Sequence, residues 1–491
     1  MGLAPDMAAR RAELTPDALA FTDHASGRLW RFGEVDAAAG ALAGGLLALG
    51  LEPGARVAVL CHNRAEFFIA LFACLKAGLI LAPLNWRQPE AELRPVMESV
   101  DCAAILHDGP HAGLAQSLAA GRPCIPFAPE GGFDLRGPGP APRAIDEDAP
   151  WYLLFTSGTT GLPKAVIQTP RMALANAMNI AQHVGLSAQD RSVCFLPLFH
   201  TAGINLYTLP VFFWGGHSHV LPKFQPDDLF DLIAKGEITQ FFGVPAIYQA
   251  FRLHPALDRV DLTRVRGYAC GGAALPVGLI RDFAERGAVI CNGYGMTETG
   301  PTGFLIDAPA ALGKIGSIGK PQMMTEARLA GVPDDAAGEG ELEMRGATVT
   351  PGYFGNAPAT EAAMTADGWL KSGDVARRDG DGYYTIIDRL KDMYISGGEN
   401  VYPAEVERVL ITHPAILEAA VIGVPDGRWG EVGAAFLIAH PGQAPDLETL
   451  DHWCRERLAA YKIPRRFRLL ADFPRTAAGK VRKPLLREML P

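Results

Sequence analysis

Seven short apolar runs recur along the chain: "RVAVLCHN", "GLILAPLN", "AAILHD", "SVCFLPLF", "ITQFFGVP", "VRGYACGG" and "AVICNGYG". Each is long enough for one strand and too short for a helix of ordinary length. Stretches with helical spacing, such as 37–49 and 226–235, lie between them. A strand that is apolar almost throughout must be covered on both faces, so this alternation demands largely parallel sheets sandwiched by helices. The predicted class is therefore α/β, with doubly wound sheets. No repeat of fixed period is present.

The longest apolar stretch, "FFIALFACLKAGLILAPL", is interrupted by Lys76 and Gly78 and closed by Pro83. That punctuation predicts a buried helix followed by a buried strand, and no membrane span. The start "MGLAPDMAARRAELTPD" has no long apolar core of the signal-peptide kind, so a cytoplasmic location is expected.

At 491 residues the chain is too long for one ordinary core, and two or more domains are expected. From Gly338 the texture changes. "GEGELEMRG" and "GWLKSGDVARRDGDGYYTIID", with their Asp-Gly and Gly-Asp turns, predict a β-rich subdomain of antiparallel hairpins. After "DRLKDMYISGGEN" the pattern is a helix over 403–412, strands at "EAAVIGVP" and "GAAFLIAH", and a helix over 447–458. The expected division is a large N-terminal domain over 1–390 and a small, mobile α+β domain over 391–491.

A formal charge of −9 argues against a nucleic-acid-coating surface, which needs a dominant basic face. It leaves the binding of a single nucleotide open. Eight cysteines are scattered without a C-x-x-C pair, several inside apolar runs, which predicts reduced, mostly buried thiols and neither a disulfide framework nor a zinc site.

The densest run of small hydroxylated residues is "LLFTSGTTGLPKAV", Leu153 to Val166. A strand that ends in a Ser/Thr/Gly loop offers backbone N–H groups and hydroxyls to phosphate oxygens, and Lys164 adds a positive charge. The spacing is not that of a Walker A loop, because no Ser or Thr follows the lysine and Pro163 lacks an N–H. Read alone, the run serves equally as a tight polar connection.

Other segments resolve that ambiguity. "FTSGTTGLPK", "PLFHTAG", "GYGMTE", "GWLKSGD", "DRLKDMYISGGENVYPAEVE" and "PRTAAGK" occur in this order. Together they resemble the adenylate-forming superfamily of acyl- and aryl-CoA synthetases, peptide-synthetase adenylation domains and beetle luciferases. The pattern is most similar to feruloyl- or coumaroyl-CoA synthetases and fatty-acyl-CoA synthetases. Three positions depart from it: Ala165 where Gly is common, Ser372 where Thr is usual, and Tyr394 in place of an aliphatic residue. Ala165 matters only if its backbone needs positive φ.

The resemblance implies an ATP-dependent ligase. A carboxylate attacks the α-phosphate of ATP to give acyl-AMP and pyrophosphate, and coenzyme A thiolate then displaces AMP. Such phosphoryl chemistry rests on positioning and charge stabilisation more than on a nucleophilic side chain. By that resemblance Thr156, Ser157, Gly158, Thr159, Thr160, Gly161 and Lys164 cover the β- and γ-phosphates. Gly272, Ala273, Ala274, Asn292, Gly293, Tyr294, Gly295 and Met296 hold the nucleotide, with Tyr294 stacked on adenine. Thr297 bonds the α-phosphate, and Glu298 with Thr156 holds Mg²⁺, a hard cation that takes oxygen ligands.

Asp374 and Arg389 are expected on the ribose, alongside Ile386; a salt bridge from Arg389 to Asp388 is the plain alternative. Lys480 in "TAAGK" is the expected catalytic lysine, and His200 in "PLFHTAG" orients or gates the carboxylate. Lys391 occupies the hinge position. Rotation there withdraws Lys480 and carries Ser396, Gly397, Gly398 and Glu399 to the pantetheine tunnel. Arg87, Trp429 and Arg475 are the basic and aromatic residues expected near the nucleotide end of coenzyme A.

Asn205, Phe242, Gly243, Val244 and Tyr248 are the expected acid pocket. Small residues beside aromatics suit a flat or elongated apolar acid, with an aryl acid preferred to a medium- or long-chain fatty acid. An amino-acid-activating domain would want a carboxylate near "PLFHTAG", and the run offers His200 instead. A luciferase-like oxygenase shares these motifs, and a non-catalytic relative would be expected to lack Glu298 or Lys480. The sequence leaves the oligomeric state open, a homodimer included.

Overall fold

Strand and helix alternate as the apolar runs require. The computed structural model describes residues 2–156, 163–273, 275–396, 399–443, 445–475 and 481–490. They fall into two compact units, one of residues 1–327 with 344–370 and the other of 328–343 with 371–491. The hairpin upstream of residue 390 thus belongs to the second unit.

The first unit is built on three sheets. One has six strands in the order Lys164–Gln168, Tyr152–Thr156, Ile80–Pro83, Arg56–Leu60, Cys102–His107 and Cys124–Pro126. Its pairings are parallel except at the edge, where Lys164–Gln168 runs antiparallel to Tyr152–Thr156. A second has four strands, Arg191–Cys194, His217–Val220, Leu19–Asp23 and Leu29–Arg31. The third orders Gln240–Gly243, Gly267–Cys270, Ile290–Met296, Gly300–Leu305 and Lys320–Pro321. Most pairings in these sheets are parallel, as the sequence predicts, with antiparallel pairs toward one edge of each. Tyr152–Thr156 with Lys164–Gln168, Leu19–Asp23 with Leu29–Arg31, and Ile290–Met296 with Gly300–Leu305 are joined by connections too short for a crossover helix.

"FFIALFACLKAGLILAPL" is the buried helix Ala65–Ala77 followed by the strand Ile80–Pro83. Gly78, at φ +73°, ends the helix in the left-handed conformation that glycine adopts without strain. The helix is buried nearly all round because it lies between sheets: Phe68 stacks on Phe21 at 5.1 Å and Phe72 meets Phe212 at 4.8 Å. Each such phenylalanine contributes about 1.5–3 kcal/mol by leaving water. Among the described residues no helix is long and apolar enough to cross a membrane.

In the second unit, Leu370–Arg378 and Tyr384–Arg389 pair antiparallel, as the Asp-Gly turns predict. A further sheet joins Glu399–Val401, Tyr394–Ser396, Gly430–Ala439 and Ile416–Asp426, and Arg466–Leu469 adds parallel to Gly430–Ala439. Helices Pro403–Ile411 and Leu447–Arg455 accompany it, close to their predicted bounds. Tyr394, the residue in place of an aliphatic one, is buried, with Gly423 and Gly433 making room: a Cβ on either would lie under 3 Å from Tyr394 atoms. Six cysteines are buried and Cys124 and Cys291 half-buried, all as free thiols.

Candidate active site

Thr156 lies opposite Lys164 across the antiparallel pair that flanks the hydroxyl-rich run. Ala165 sits in this extended strand and is absent from the positive-φ positions, so alanine fits there without strain. On its other side the strand Lys164–Gln168 is gripped by residues 350–354. Phe354 N donates to Ala165 O at 2.8 Å, Ile167 N to Gly352 O at 3.1 Å, and Thr350 Oγ1 to Ile167 O at 2.7 Å. This clamp brings Lys164 Nζ to 4.7 Å from the centre of the Tyr353 ring, a cation–π contact.

The same clamp fixes the turn after the strand Ile290–Met296. Thr350 N donates to Glu298 O at 2.8 Å, and Gln168 Nε2 donates to Thr297 O at 2.8 Å. Met296 N donates to Thr299 Oγ1 at 2.9 Å. The Tyr353 hydroxyl then donates to Glu298 Oε1 at 2.9 Å. Burial, followed by the Glu298 charge, pushes the Tyr353 phenol well above its usual range, so it remains a donor at any ordinary pH.

Glu298 is only 8% exposed, and among the described residues no cationic side chain pairs with it. A buried carboxylate is costly unless it is paired or coordinates a metal. This donor set, one buried carboxylate with hydroxyls at hand, fits a hard divalent cation. Lys164, Thr297 and Glu298 are thus brought together, with Tyr353 and Gln168 as the residues that hold them. Sequence reading missed Tyr353, whose only local signal is the turn-like "PGYFGN".

The nucleotide and pocket residues cluster at the carboxyl ends of three adjacent parallel strands, where open α/β sheets form crevices. Phe242, Gly243 and Val244 end one strand, Gly272 and Ala273 follow the next, and Asn292 to Met296 lie in the third. Where it pairs with Gly300–Leu305, the third strand depends on missing side chains. A Cβ on Gly293 would meet Phe304 O at 2.9 Å, and one on Gly295 would meet Gly300 O at 2.4 Å. Gly272 sits at φ +82° with its Cβ side nearly open. Asn292 Nδ2 donates to Ser317 O at 3.2 Å, while its buried Oδ1 has no hydrogen-bond partner among the described residues. Tyr294 meets Phe304 edge-on at 6.0 Å.

Two expected pocket residues are committed to the core. Tyr248 is fully buried, donates to Ala269 O at 2.8 Å and packs edge-on against Phe283 at 5.2 Å. Asn205 is 3% exposed; its Oδ1 accepts from Tyr152 at 2.8 Å and its Nδ2 donates to Thr201 at 3.0 Å. Both side chains are buried, with their polar atoms engaged by Ala269, Tyr152 and Thr201. His200, half-buried, opens the short helix Thr201–Asn205 and packs against Phe199 at 4.8 Å. Arg87 lies 4.9 Å from the Trp86 ring centre.

In the second unit Asp374 and Arg389 are cross-strand partners, and Arg389 Nε reaches Asp374 Oδ1 at 2.8 Å. The alternative pairing of Arg389 with Asp388 is therefore corrected. Neighbouring residues on a strand point to opposite faces. Asp388 instead accepts from the backbone N–H groups of Arg389 and Ala404, each at 2.7 Å. The Asp374 side chain is 4% exposed and that of Arg389 44%, so the carboxylate is held while the guanidinium reaches solvent. Gly373, at φ +71°, precedes Asp374 within the same strand, and Ser372 Oγ accepts from Asp374 N at 3.0 Å; the serine supplies the hydroxyl expected of threonine there.

Ile386 is half-buried in the partner strand, Lys391 and Glu399 are exposed, and Ser396 is buried. Arg475 is engaged by Glu418, to which its Nη2 donates twice at 2.8 Å, and Trp429 has Arg428 at 5.4 Å from its ring. Ser157, Gly158, Thr159, Thr160, Gly161, Ala274, Gly397, Gly398 and Lys480 lie outside the described residues.

Comparison with known proteins agrees with this geometry. The model of the AMP-binding enzyme family matches residues 8–354, and that of the AMP-binding enzyme C-terminal domain matches 405–480. A feruloyl-CoA synthase of Amycolatopsis sp. is 39% identical over 96% of each chain. A long-chain-fatty-acid–CoA ligase of Mycobacterium tuberculosis is 32% identical over 98% of this chain and 97% of its own. Among solved structures, o-succinylbenzoate coenzyme A synthetase of Bacillus subtilis, in complex with ATP and a magnesium ion, superposes with a TM-score of 0.89. It is 31% identical, covering 99% of this chain and all of the other. With family models matching both parts of the chain and relatives alike over nearly the whole of each length, the chain belongs to the AMP-binding enzymes.

Proposed function

We propose that the protein is an ATP- and Mg²⁺-dependent carboxylic acid–CoA ligase, with an aryl or phenylpropenoic acid as its preferred substrate. The observation that carries the reaction class is the Lys164–Tyr353–Glu298 cluster. It sets a cation and a buried carboxylate, with no cationic partner among the described residues, near the strand ends where a nucleotide's phosphates would lie.

Magnesium bound at Glu298 would draw charge from the phosphate oxygens as it builds up. The chain's own groups do the rest. Lys164 and Thr297 hold phosphate oxygens, Asp374 and Arg389 take the ribose hydroxyls, and the unmet Asn292 Oδ1 suits the amino group of adenine. A carboxylate oxygen attacks the α-phosphorus, the α–β bridging P–O bond breaks, and pyrophosphate departs. Lys480 neutralises charge in that step. In the second step the thiolate of coenzyme A attacks the acyl carbon and AMP leaves, giving the thioester. The resemblance makes Lys391 the pivot between the two steps in this reading; it is exposed in the turn between Tyr384–Arg389 and Tyr394–Ser396.

The 39% identity to a feruloyl-CoA synthase supports the aryl preference. The 32% identity to a long-chain-fatty-acid–CoA ligase favours an aliphatic acid as the second reading. The test is thioester formation from coenzyme A, ATP and a panel of aryl, short-, medium- and long-chain acids. Turnover of ferulate or coumarate above octanoate is expected. Turnover of octanoate with none of any aryl acid would overturn the substrate preference.

A further inference from the structure

Outside the crevice, the strand His217–Val220 places two imidazoles on one face, because alternate residues of a strand point the same way. The parallel neighbour Leu19–Asp23 aligns Thr22 with His219, and His24 follows directly. Glu237, between the helix Pro226–Ala234 and the strand Gln240–Gly243, completes the group. One ligand atom from each of His217, His219 and Glu237 lies within 4.8 Å of the others. His219 Nε2 is 3.5 Å from Glu237 Oε2. Two ligands of one tetrahedral zinc, at bonds of about 2.0–2.1 Å, stand about 3.4 Å apart.

Each imidazole also has the support that metal-bound histidines have. His217 Nε2 meets the Thr22 hydroxyl at 2.9 Å, and His219 Nδ1 meets His24 Nε2 at 3.1 Å. That leaves His219 Nε2, on a residue only 6% exposed, facing Glu237 Oε2 at 3.5 Å without a well-formed hydrogen bond among the described residues. We propose that His217, His219 and Glu237 bind a divalent transition-metal ion of the zinc type, with Thr22 and His24 orienting the two rings and a fourth position left to water.

Imidazole and carboxylate ligands suit zinc, cobalt and nickel better than magnesium. Arg191 also reaches Glu237, Nη1 to Oε2 at 3.2 Å, so guanidinium and metal compete for one carboxylate. A second trio, His62, Asp108 and His111, has similar spacing. Its carboxylate is already spent on the backbone N–H groups of His62 and His111 and on the His111 ring. The cysteine-based reading of the sequence could not find the site, since it contains none; its only signal is the His-Ser-His alternation in "GGHSHVLP".

The test is titration of the chelator-treated, nucleotide-free full chain with Co²⁺, followed by the visible ligand-field absorption of bound cobalt, and with Zn²⁺ by calorimetry. One saturable site is expected. Binding should weaken at least tenfold in His217→Gln and in Glu237→Gln, and by roughly 10- to 100-fold in Thr22→Val, which removes a supporting group only. It should be unchanged in His111→Gln. Glu237 is partly exposed, so its variant keeps the test available if the His217 variant does not fold. Absence of saturable Co²⁺ binding to folded wild-type protein would overturn the proposal. So would unaltered binding in Glu237→Gln, or loss confined to His111→Gln.

Discussion

Replacing Tyr353 with phenylalanine separates the two contacts this ring makes. The aromatic face beneath Lys164, 4.7 Å from Nζ, survives, while the hydroxyl that donates to Glu298 Oε1 at 2.9 Å is lost. A hydrogen bond to a charged group contributes about 1.5–3 kcal/mol. If Glu298 must be held in one orientation to place a cation on the phosphates, that range becomes a roughly 10- to 100-fold fall in kcat/KM for ATP. The assay is acid-dependent exchange of labelled pyrophosphate into ATP, with the thermal midpoint measured on the same preparation. A retained fold with the expected loss supports the role of Tyr353 as a positioning residue. An exchange rate within about twofold of wild type would refute it, since the hydrogen bond would then carry less than its usual energy.

Three further outcomes follow from the same structure. Lys480→Ala should abolish formation of acyl-AMP while sparing thioester formation from supplied acyl-AMP and coenzyme A; equal loss of both contradicts the assignment. Gly295→Ala should lower the thermal midpoint and weaken ATP binding together, because the new Cβ would lie 2.4 Å from Gly300 O. Burial alone would raise the Asp190 carboxyl, but Arg266, donating to both its oxygens at 2.7 Å, and Thr239 hold it below the usual aspartate range. Its contribution is thus present above pH of about 3.9 and lost as pH falls through the lower folded value. Asp190→Asn should cost about 1–3 kcal/mol in urea unfolding at neutral pH, discounted because Arg266 is half-exposed, and the gap should narrow below pH of about 4.

How much of this was legible in the sequence varies with the range of the interaction. Strands such as Arg56–Leu60 and Ile80–Pro83 could be read because burial on both faces leaves a local apolar run. Gly78 and Pro83 marked the end of a helix and of a strand for equally local reasons. Glu298, Lys164 and Asp374 were legible as motif members. The hydroxyl that orients Glu298 was not, because Tyr353 is brought to it by pairing of 350–354 with a strand far back in the chain.

Arg389 is expected on the ribose, with Asp388 only as the plain alternative partner; strand register hands its guanidinium to Asp374. Asn205 and Tyr248 sit near pocket residues in sequence, yet their polar atoms are consumed by Tyr152, Thr201 and Ala269. Such commitments are set by tertiary packing and leave no local pattern.

The most direct measurement is exchange of labelled pyrophosphate into ATP in the absence of coenzyme A, with Mg²⁺ and ferulate or coumarate present. Acid-dependent exchange is predicted for the wild type, with collapse in Glu298→Gln although its fold is retained. Exchange that ignores both the acid and Glu298, or no exchange with any acid tried, would contradict the account.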